Sequence, residues 1–324
     1  MKILVTGGSG FIGTNYIHHV LAIKNDVSVL NLDKLTYAGN RLNHKMFESD
    51  SRYRFVEGDI CDEAVVDSCV REVDVIVHFA AESHVDRSIA QPSIFLHTNV
   101  LGTQTLLDAA VRHGGKRFHH VSTDEVYGSL SNNPEQKFSE VTPYDPRSPY
   151  SASKAASDHL VRAYYHTHGL PVTISNCSNN YGPYQYPEKF LPLFITNLLE
   201  GKKLPVYGTG ENIRDWIHVE DHIRGIGAVL ERGKIGETYC FGGDAEMKNL
   251  DIAKMIVSEF GVQDDVIEYV ADRKGHDFRY AIDFSKAQRE LGWQPQQTFD
   301  SGLRGVIAWY RENENWWKPL KYGN

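Results

Sequence analysis

Apolar residues fall into two rhythms along the first half of this chain. Ile3-Leu4-Val5 is a short β-branched-rich run, and after the glycine cluster that follows it Tyr16, Ile17, Val20 and Leu21 return at helical spacing. The pattern predicts a strand, a tight turn and a helix. Val27 to Leu32, Arg54 to Ile60 and Val73 to Phe79 read as further strands, the last nearly continuous in apolar character, as parallel strands covered on both faces are. From Pro92, the residues Ile94, Phe95, Val100, Leu101, Leu106, Leu107, Ala110 and Val111 keep helical time until Gly114-Gly115 ends them. A strand over 118–122, a helix from about Tyr150 and a strand over 172–175 complete the alternation. That alternation predicts an α/β fold with a doubly wound parallel sheet.

The rhythm then breaks. Asn176 to Tyr184 is polar and rich in turn residues, and beyond it short strands and helices mix without a repeated unit. The expected division is residues 1–176 for the wound sheet and 177–324 for a smaller mixed α/β part, with some later segments returning to the first domain. The polar stretch between Tyr127 and Pro149 is long enough for a functional flap. Trp309, Trp316 and Trp317 are expected to be packing residues.

Composition narrows the setting. With 324 residues, 41% of them hydrophobic and 23% charged, the chain can bury a sizeable core. A net charge of -8, with no concentrated Lys/Arg stretch, argues against a nucleic-acid partner. Cys61, Cys69, Cys177 and Cys240 form no CxxC pair, so neither a disulfide framework nor a metal site is expected. No window reaches the ~20 apolar residues of a membrane span, and the N-terminal run is too short for a signal segment. A cytoplasmic, soluble protein is the expectation.

Chemistry concentrates in three places. The turn Gly7-Gly8-Ser9-Gly10-Phe11-Ile12-Gly13 lies between strand and helix, where glycines let the backbone approach a pyrophosphate and the helix N-terminus favours its charge. Asp33 follows about twenty residues later at a strand end, placed to accept hydrogen bonds from an adenosine ribose and to repel a 2′-phosphate. NAD is therefore favoured over NADP, a preference that neighbouring Lys34 weakens. Asp59 and Ile60 are placed to flank the adenine, and the loop from Ala80 to Arg87 leaves the fourth strand on the ligand-binding edge. Third, Ser122-Thr123-Asp124-Glu125 ends a strand while Tyr150 and Lys154, four apart, share one helix face. An ammonium held near a phenol stabilises the phenolate, which would make Tyr150 a base near neutrality.

These motifs together resemble the extended short-chain dehydrogenase/reductase family, over nearly the whole chain, with its Rossmann-type cofactor domain. Asp33-Lys34-Leu35-Thr36-Tyr37-Ala38-Gly39-Asn40, Thr123-Asp124-Glu125, Asn179-Asn180-Tyr181-Gly182-Pro183, Arg214-Asp215-Trp216 and Arg273-Lys274-Gly275-His276-Asp277 are similar to those of its dTDP-glucose 4,6-dehydratase branch. Phe278 departs from that branch, where the residue is usually basic. The resemblance implies NAD, bound by Gly7, Gly10, Phe11, Ile12, Gly13, Asp33, Lys34, Thr36, Asp59, Ile60, Ala80, Ala81, Ser83, Asn99, Ser122, Tyr150, Lys154 and Asn176. Read without it, Asn99 is an internal hydrogen-bonding residue. The substrate set implied is Ser83, Asp86, Arg87, Thr123, Asn179, Asn180, Lys189, Pro205, Tyr207, Arg214, Asn249, Arg273 and His276. Arg214 and Arg273 suit a diphosphate best, because a guanidinium makes paired charge-assisted bonds to phosphate oxygens.

Catalysis is implied to rest on Thr123, Asp124, Glu125, Tyr150 and Lys154. Tyr150 would take the proton from the sugar C4 hydroxyl, Glu125 the C5 proton, and Asp124 would protonate the departing C6 hydroxyl. A homodimer built on helices around 92–113 and 150–168 is also implied. The base of the nucleotide stays open, and so do another NDP-hexose 4,6-dehydratase, a UDP-sugar 4-epimerase and a sugar-nucleotide-binding regulatory protein. An epimerase has no use for two carboxyl groups beside Thr123, and a regulatory protein would be expected to have lost some of the catalytic set.

Overall fold

The computed structural model describes residues 1–272 and 275–323. The first half supplies β1 (Lys2–Thr6), β2 (Ser28–Asp33), β3 (Tyr53–Glu57), β4 (Val75–His78), β5 (Arg117–Thr123) and β6 (Val172–Cys177). The second supplies β7 (Asn179–Tyr181), β8 (Leu204–Tyr207), β9 (Ile213–His218), β10 (Thr238–Phe241), β11 (Glu246–Lys248) and β12 (Ile267–Val270). Seven strands form one parallel sheet in the order β10-β6-β5-β4-β1-β2-β3, so the chain winds outward from β1 in one direction and from β4 in the other. Reversal of order between β1 and β4 opens a crevice at their carboxyl ends, the place where such sheets bind ligands.

Helices α1 (Phe11–Ile23), α2 (Glu63–Arg71), α3 (Val85–Ala90), α4 (Pro92–Phe95), α5 (Thr103–Arg112), α6 (Pro149–His168), α7 (Phe190–Leu199) and α8 (Val219–Arg232) connect and cover the strands. Successive strand residues point to opposite faces, and the cores follow that alternation. Ile3, Val5, Val29 and Val77 pack with Tyr16 and Ile17 of α1 and with Ile223 and Ile226 of α8 on one face. Leu4, Leu30, Ile76 and Phe118 pack with Val66 of α2, Leu106 of α5 and Val161 of α6 on the other. The helical rhythm read over 92–113 is interrupted. Leu96–Gly102 takes a wider π-turn between α4 and α5, and Gly102 meets Ile60 there, where an added Cβ would lie 2.5 Å from the Ile60 side chain.

The later strands build a three-stranded sheet, β11-β9-β7, and a β12-β8 pair around a separate core that includes Phe194, Trp216, Phe299 and Trp317. Strand β10 crosses back to pair with β6. Trp309, Trp316 and Tyr184 pack edge to face, as packing residues would. The stretch between Tyr127 and Pro149, read as a flap, is pinned to this second part. Arg279, buried, donates to the carbonyls of Asn133 (2.8 Å) and Gln136 (3.0 Å) and pairs with Glu246, while Phe138 is buried. Among the described residues no helix is long and apolar enough to cross a membrane, and no group of His, Cys, Asp and Glu is arranged to hold a metal ion.

Candidate active site

The crevice begins at the glycine turn. Gly7 has φ +71°, and a Cβ there would stand 2.6 Å from the Ala80 amide nitrogen, so the turn and the β4 loop come together only because that atom is missing. At Gly13 a Cβ would meet the Gly7 carbonyl oxygen at 2.3 Å. Gly10 caps α1 without any side-chain hydrogen bond, which leaves the first-turn amides for an anion. At the end of β2, Asp33 accepts from the Ser9 amide (2.9 Å) and the Leu35 amide (2.8 Å). Burial raises its carboxyl against those bonds, yet an ionised carboxylate has about four acceptor sites and two remain for ribose hydroxyls. Lys34 is paired with Asp59 at 2.6 Å, which offsets its charge, and both line the crevice with Asp33. Phe11, Ile12, Thr36, Ile60, Ala80, Ala81, Ser83 and Ser122 line the same crevice. A cradle closed to Cβ atoms, an uncapped helix start and a buried acidic acceptor fit NAD.

The residues expected to be catalytic meet at the other end. β5 finishes at Thr123, whose hydroxyl accepts from the Glu125 amide at 3.3 Å and so caps the 3₁₀ turn Asp124–Tyr127. That turn brings both carboxyl groups to the crevice wall. Asp124 is 2% exposed, and its Oδ2 has no protein hydrogen-bond partner. Burial first, then the charges of Glu125 and Asp215, push its carboxyl well above the usual range, against the pull of Arg214. Burial thus favours the protonated form of Asp124, and Glu125 beside it is half-buried. Asp215 is itself pushed up to about 6, chiefly by burial.

Helix α6 starts with a capping box in which Ser148 and Ser151 each hold the other's amide, and Pro149 stands at its first turn. This fixes Tyr150 against the crevice. Tyr150 and Lys154 both line the crevice from this helix, and no hydrogen bond joins the phenol to the ammonium. Lys154 donates to the Val121 carbonyl at 2.9 Å, and burial lowers its own basicity. The phenol is held well above its ordinary value, by burial first and then by Glu125, Cys177 and Asp124, against the hydrogen bond of the Thr123 hydroxyl. In the free protein burial works to keep the proton on Tyr150.

Further residues of the expected set lie around the crevice and beyond it. Asn99 does not line the crevice; it accepts from the Glu82 amide (2.8 Å) and donates to the Glu82 carbonyl and to Ser153 (2.8 Å), tying the β4 loop to α6. Asn176 lies behind the wall and donates to the Thr123 carbonyl at 3.0 Å. Of the substrate set, Ser83, Thr123, Asn179, Asn180 and Lys189 share the crevice. Asp86 and Arg87 stand outside it on α3, Arg87 lying 3.6 Å over the Tyr37 ring and pairing with Glu188. Arg214 is buried and donates to the Ile213 and Asp277 carbonyls. Tyr207 and His276 meet edge to face, His276 paired with Asp272 at 2.6 Å, on the side of the β8–β12 pair, where Pro205 also lies. Asn249 starts α9 (Asn249–Phe260), and Arg273 lies outside the described residues. Phe278 is partly exposed, and its amide donates to Ser129. Phe79, Thr98, Val121, Cys177, Ser178, Gln185 and Tyr186 also line the crevice, and no pattern in the sequence distinguishes them from core or turn residues.

A doubly wound sheet with a dinucleotide cradle at its switch point, and Tyr150, Lys154, Thr123 and two carboxyl groups beside it, defines an extended short-chain dehydrogenase/reductase. Within that class the chain belongs to the GDP-mannose 4,6 dehydratase family, which it matches over residues 4–306. It is 52% identical over 326 residues to a dTDP-glucose 4,6-dehydratase of Streptomyces antibioticus, covering 99% of this chain and 96% of that one. The solved structure of DesIV, a dTDP-glucose 4,6-dehydratase from Streptomyces venezuelae with NAD and TYD bound, is 52% identical and superposes with a TM-score of 0.96, covering 99% of this chain and all of that one. A dTDP-glucose 4,6-dehydratase from Bacillus anthracis in complex with NAD is 48% identical, with a TM-score of 0.92 and 99% of each chain covered.

Proposed function

We propose that this protein is a hydro-lyase that converts dTDP-glucose to its 4-keto-6-deoxy sugar nucleotide. The observation that carries the reading is buried Asp124, one of its oxygens without a protein partner, next to Glu125 at a wall shared with Tyr150 and Thr123. Such a pair serves an elimination and leaves an epimerase nothing to do. NAD, held by the glycine turn and Asp33, supplies a hydride acceptor for C4, a positive charge near the phenol and, at the end of the cycle, the hydride donor for C6. Tyr150 takes the C4 hydroxyl proton while Thr123 hydrogen-bonds the same oxygen. The resulting ketone acidifies C5, whose proton passes to Glu125. Asp124 gives its proton to the C6 oxygen, which leaves as water, and Glu125 returns its proton to C5 as the hydride reaches C6. Ser83, Asn179, Asn180 and Lys189 hold the sugar and its diphosphate, and the Tyr207–His276 side takes the nucleoside. Residues 1–176 serve the cofactor, residues 177–324 mainly the sugar nucleotide, and the working unit is a cytoplasmic homodimer.

Incubation with dTDP-, UDP- and GDP-glucose, followed by detection of a 4-keto-6-deoxy product, tests the reading. Product is expected fastest from dTDP-glucose. A 4-epimer with no loss of water would overturn the reading.

A further inference from the structure

Behind the crevice lies a polar cluster that the proposed chemistry does not use. Lys154 and Asp158 stand four apart on α6 and therefore share a face. Asp158 is fully buried, and its Oδ2 accepts from the Ser122 hydroxyl (2.9 Å), the Tyr144 hydroxyl (2.8 Å) and, at longer range, Asn176 (3.4 Å). Its other oxygen lies 3.1 Å from Nε2 of His120, which also stands 3.4 Å from the Lys154 nitrogen. A buried carboxylate with this many donors stays ionised, and a buried ammonium with one carbonyl acceptor needs such an anion, because an unpaired charge there costs several kcal/mol.

The groups around Lys154 leave Asp158 in that role. From β5 it meets His120 and the Val121 carbonyl, and from β6 Cys177, whose thiol burial pushes up and keeps neutral. From β4, His78 senses its charge and is driven by burial to the neutral form, as is His120, brought down to about 4. On α6 itself the neighbours are the neutral Tyr150 and Asp158. The same carboxylate also reaches the catalytic strand end, since it holds Ser122 and Asn176, and Asn176 donates to the Thr123 carbonyl.

We propose that Asp158 is a positioning residue for the first oxidation: it keeps Lys154 as an ammonium one helical turn from Tyr150 and, through Ser122 and Asn176, fixes the strand end that carries Thr123. The kinetic part of this inference rests on the dehydratase reading; the charge state of Lys154 does not. Burial works to strip the proton from Lys154 and Asp158 works to keep it, so removing the carboxylate moves the loss of that proton to lower pH.

The test is a pair of titrations on Asp158→Asn. In protein labelled with ¹³C at the lysine Cε, the Lys154 signal, assigned with Lys154→Met, is expected to titrate about 1–3 pH units lower than in wild type. The alkaline limb of kcat for oxidation of the sugar nucleotide should move down with it, while KM changes by less than about twofold and Asp158→Glu restores the limb. If Asp158→Asn does not fold, Ser122→Ala combined with Tyr144→Phe strips two donors from the carboxylate and is expected to give the same direction with a smaller size. A Lys154 titration unmoved in the folded variants overturns the proposal whatever the activity. A shifted titration with no dehydration of any glucose nucleotide by the wild type would leave the proposal standing for Lys154 and sink the dehydratase reading instead.

Discussion

Asp124 shows how one buried side chain couples chemistry to stability. In the unfolded chain its carboxyl titrates near ~3.9, and in the fold it is held well above that, so above ~3.9 the folded state binds the extra proton. Stability contributed by the neutral form is therefore complete at low pH and is lost as pH rises through that window toward the folded value. Asp124→Asn, neutral at every pH, is expected to melt higher than wild type at pH 7 and about equally at pH 4, a difference that calorimetry across pH reads directly. A constant gap would show that the carboxyl is not held protonated. The same substitution divides the reaction. Tyr150→Phe should abolish oxidation, with no reduced-nicotinamide absorbance on adding substrate. Asp124→Asn and Glu125→Gln should still oxidise C4 but slow elimination by roughly 10²-fold, the usual size of a lost general acid or base. In those two variants a 4-keto-glucose nucleotide is expected to accumulate in a single turnover, and dehydration at the wild-type rate would remove both residues from the mechanism.

Among the elements, those with a repeating pattern were legible and those without were not. The β1 turn and α1 could be read because glycine spacing and helical period carry direct steric meaning, and Gly7 and Gly13 are indeed the positions where an added Cβ collides. Gly13→Ala is expected to abolish NAD-dependent thermal stabilisation and to cost about 1–3 kcal/mol, as overpacking does. Stabilisation by NAD equal to wild type would show that the turn yields. Asp33 likewise sits at its strand end, and NADP binding tighter than NAD would remove it from the ribose. What could not be read was direction. The Tyr150–Lys154 spacing gives a shared face, but the sequence does not say that the Val121 carbonyl takes the ammonium. Nor does it say that Asn99 and Asn176 turn away from the crevice to tie strand and helix together, because an amide's partners are set by tertiary contacts. The polar loop after Tyr127 reads as a flap by its length, and what fixes it lies far away in sequence: the buried guanidinium of Arg279 and the backbone of residues 279–283, which pairs with Leu130 and Phe138.

At the scale of the molecule, the segment 89–101 leaves apolar surface uncovered in a single chain. Ile89, Ile94, Leu96 and Leu101 are each 45–53% exposed, although the same segment also packs inward, Phe95 standing edge-on to the Tyr150 ring and Asn99 tied to Ser153 of α6. Isolated exposed leucines need no explanation, but four on one short stretch form a patch of the kind that association covers. A stable dimer needs ~1,600 Å² in total, more than this patch alone provides, so its neighbours on α5 and α6 must contribute. Covering it would also brace the back of the helix segment that positions Tyr150 and the β4 loop. The wild-type protein is therefore expected to sediment as a dimer at micromolar concentration, with a melting temperature that rises with protein concentration. Ile94→Asp combined with Leu101→Asp places two charges on the patch without touching Phe95 or Asn99. This variant should sediment as a monomer, lose the concentration dependence and bind NAD less tightly than wild type. A wild-type monomer, or a double variant that remains dimeric, would mean that the patch is not the contact between subunits.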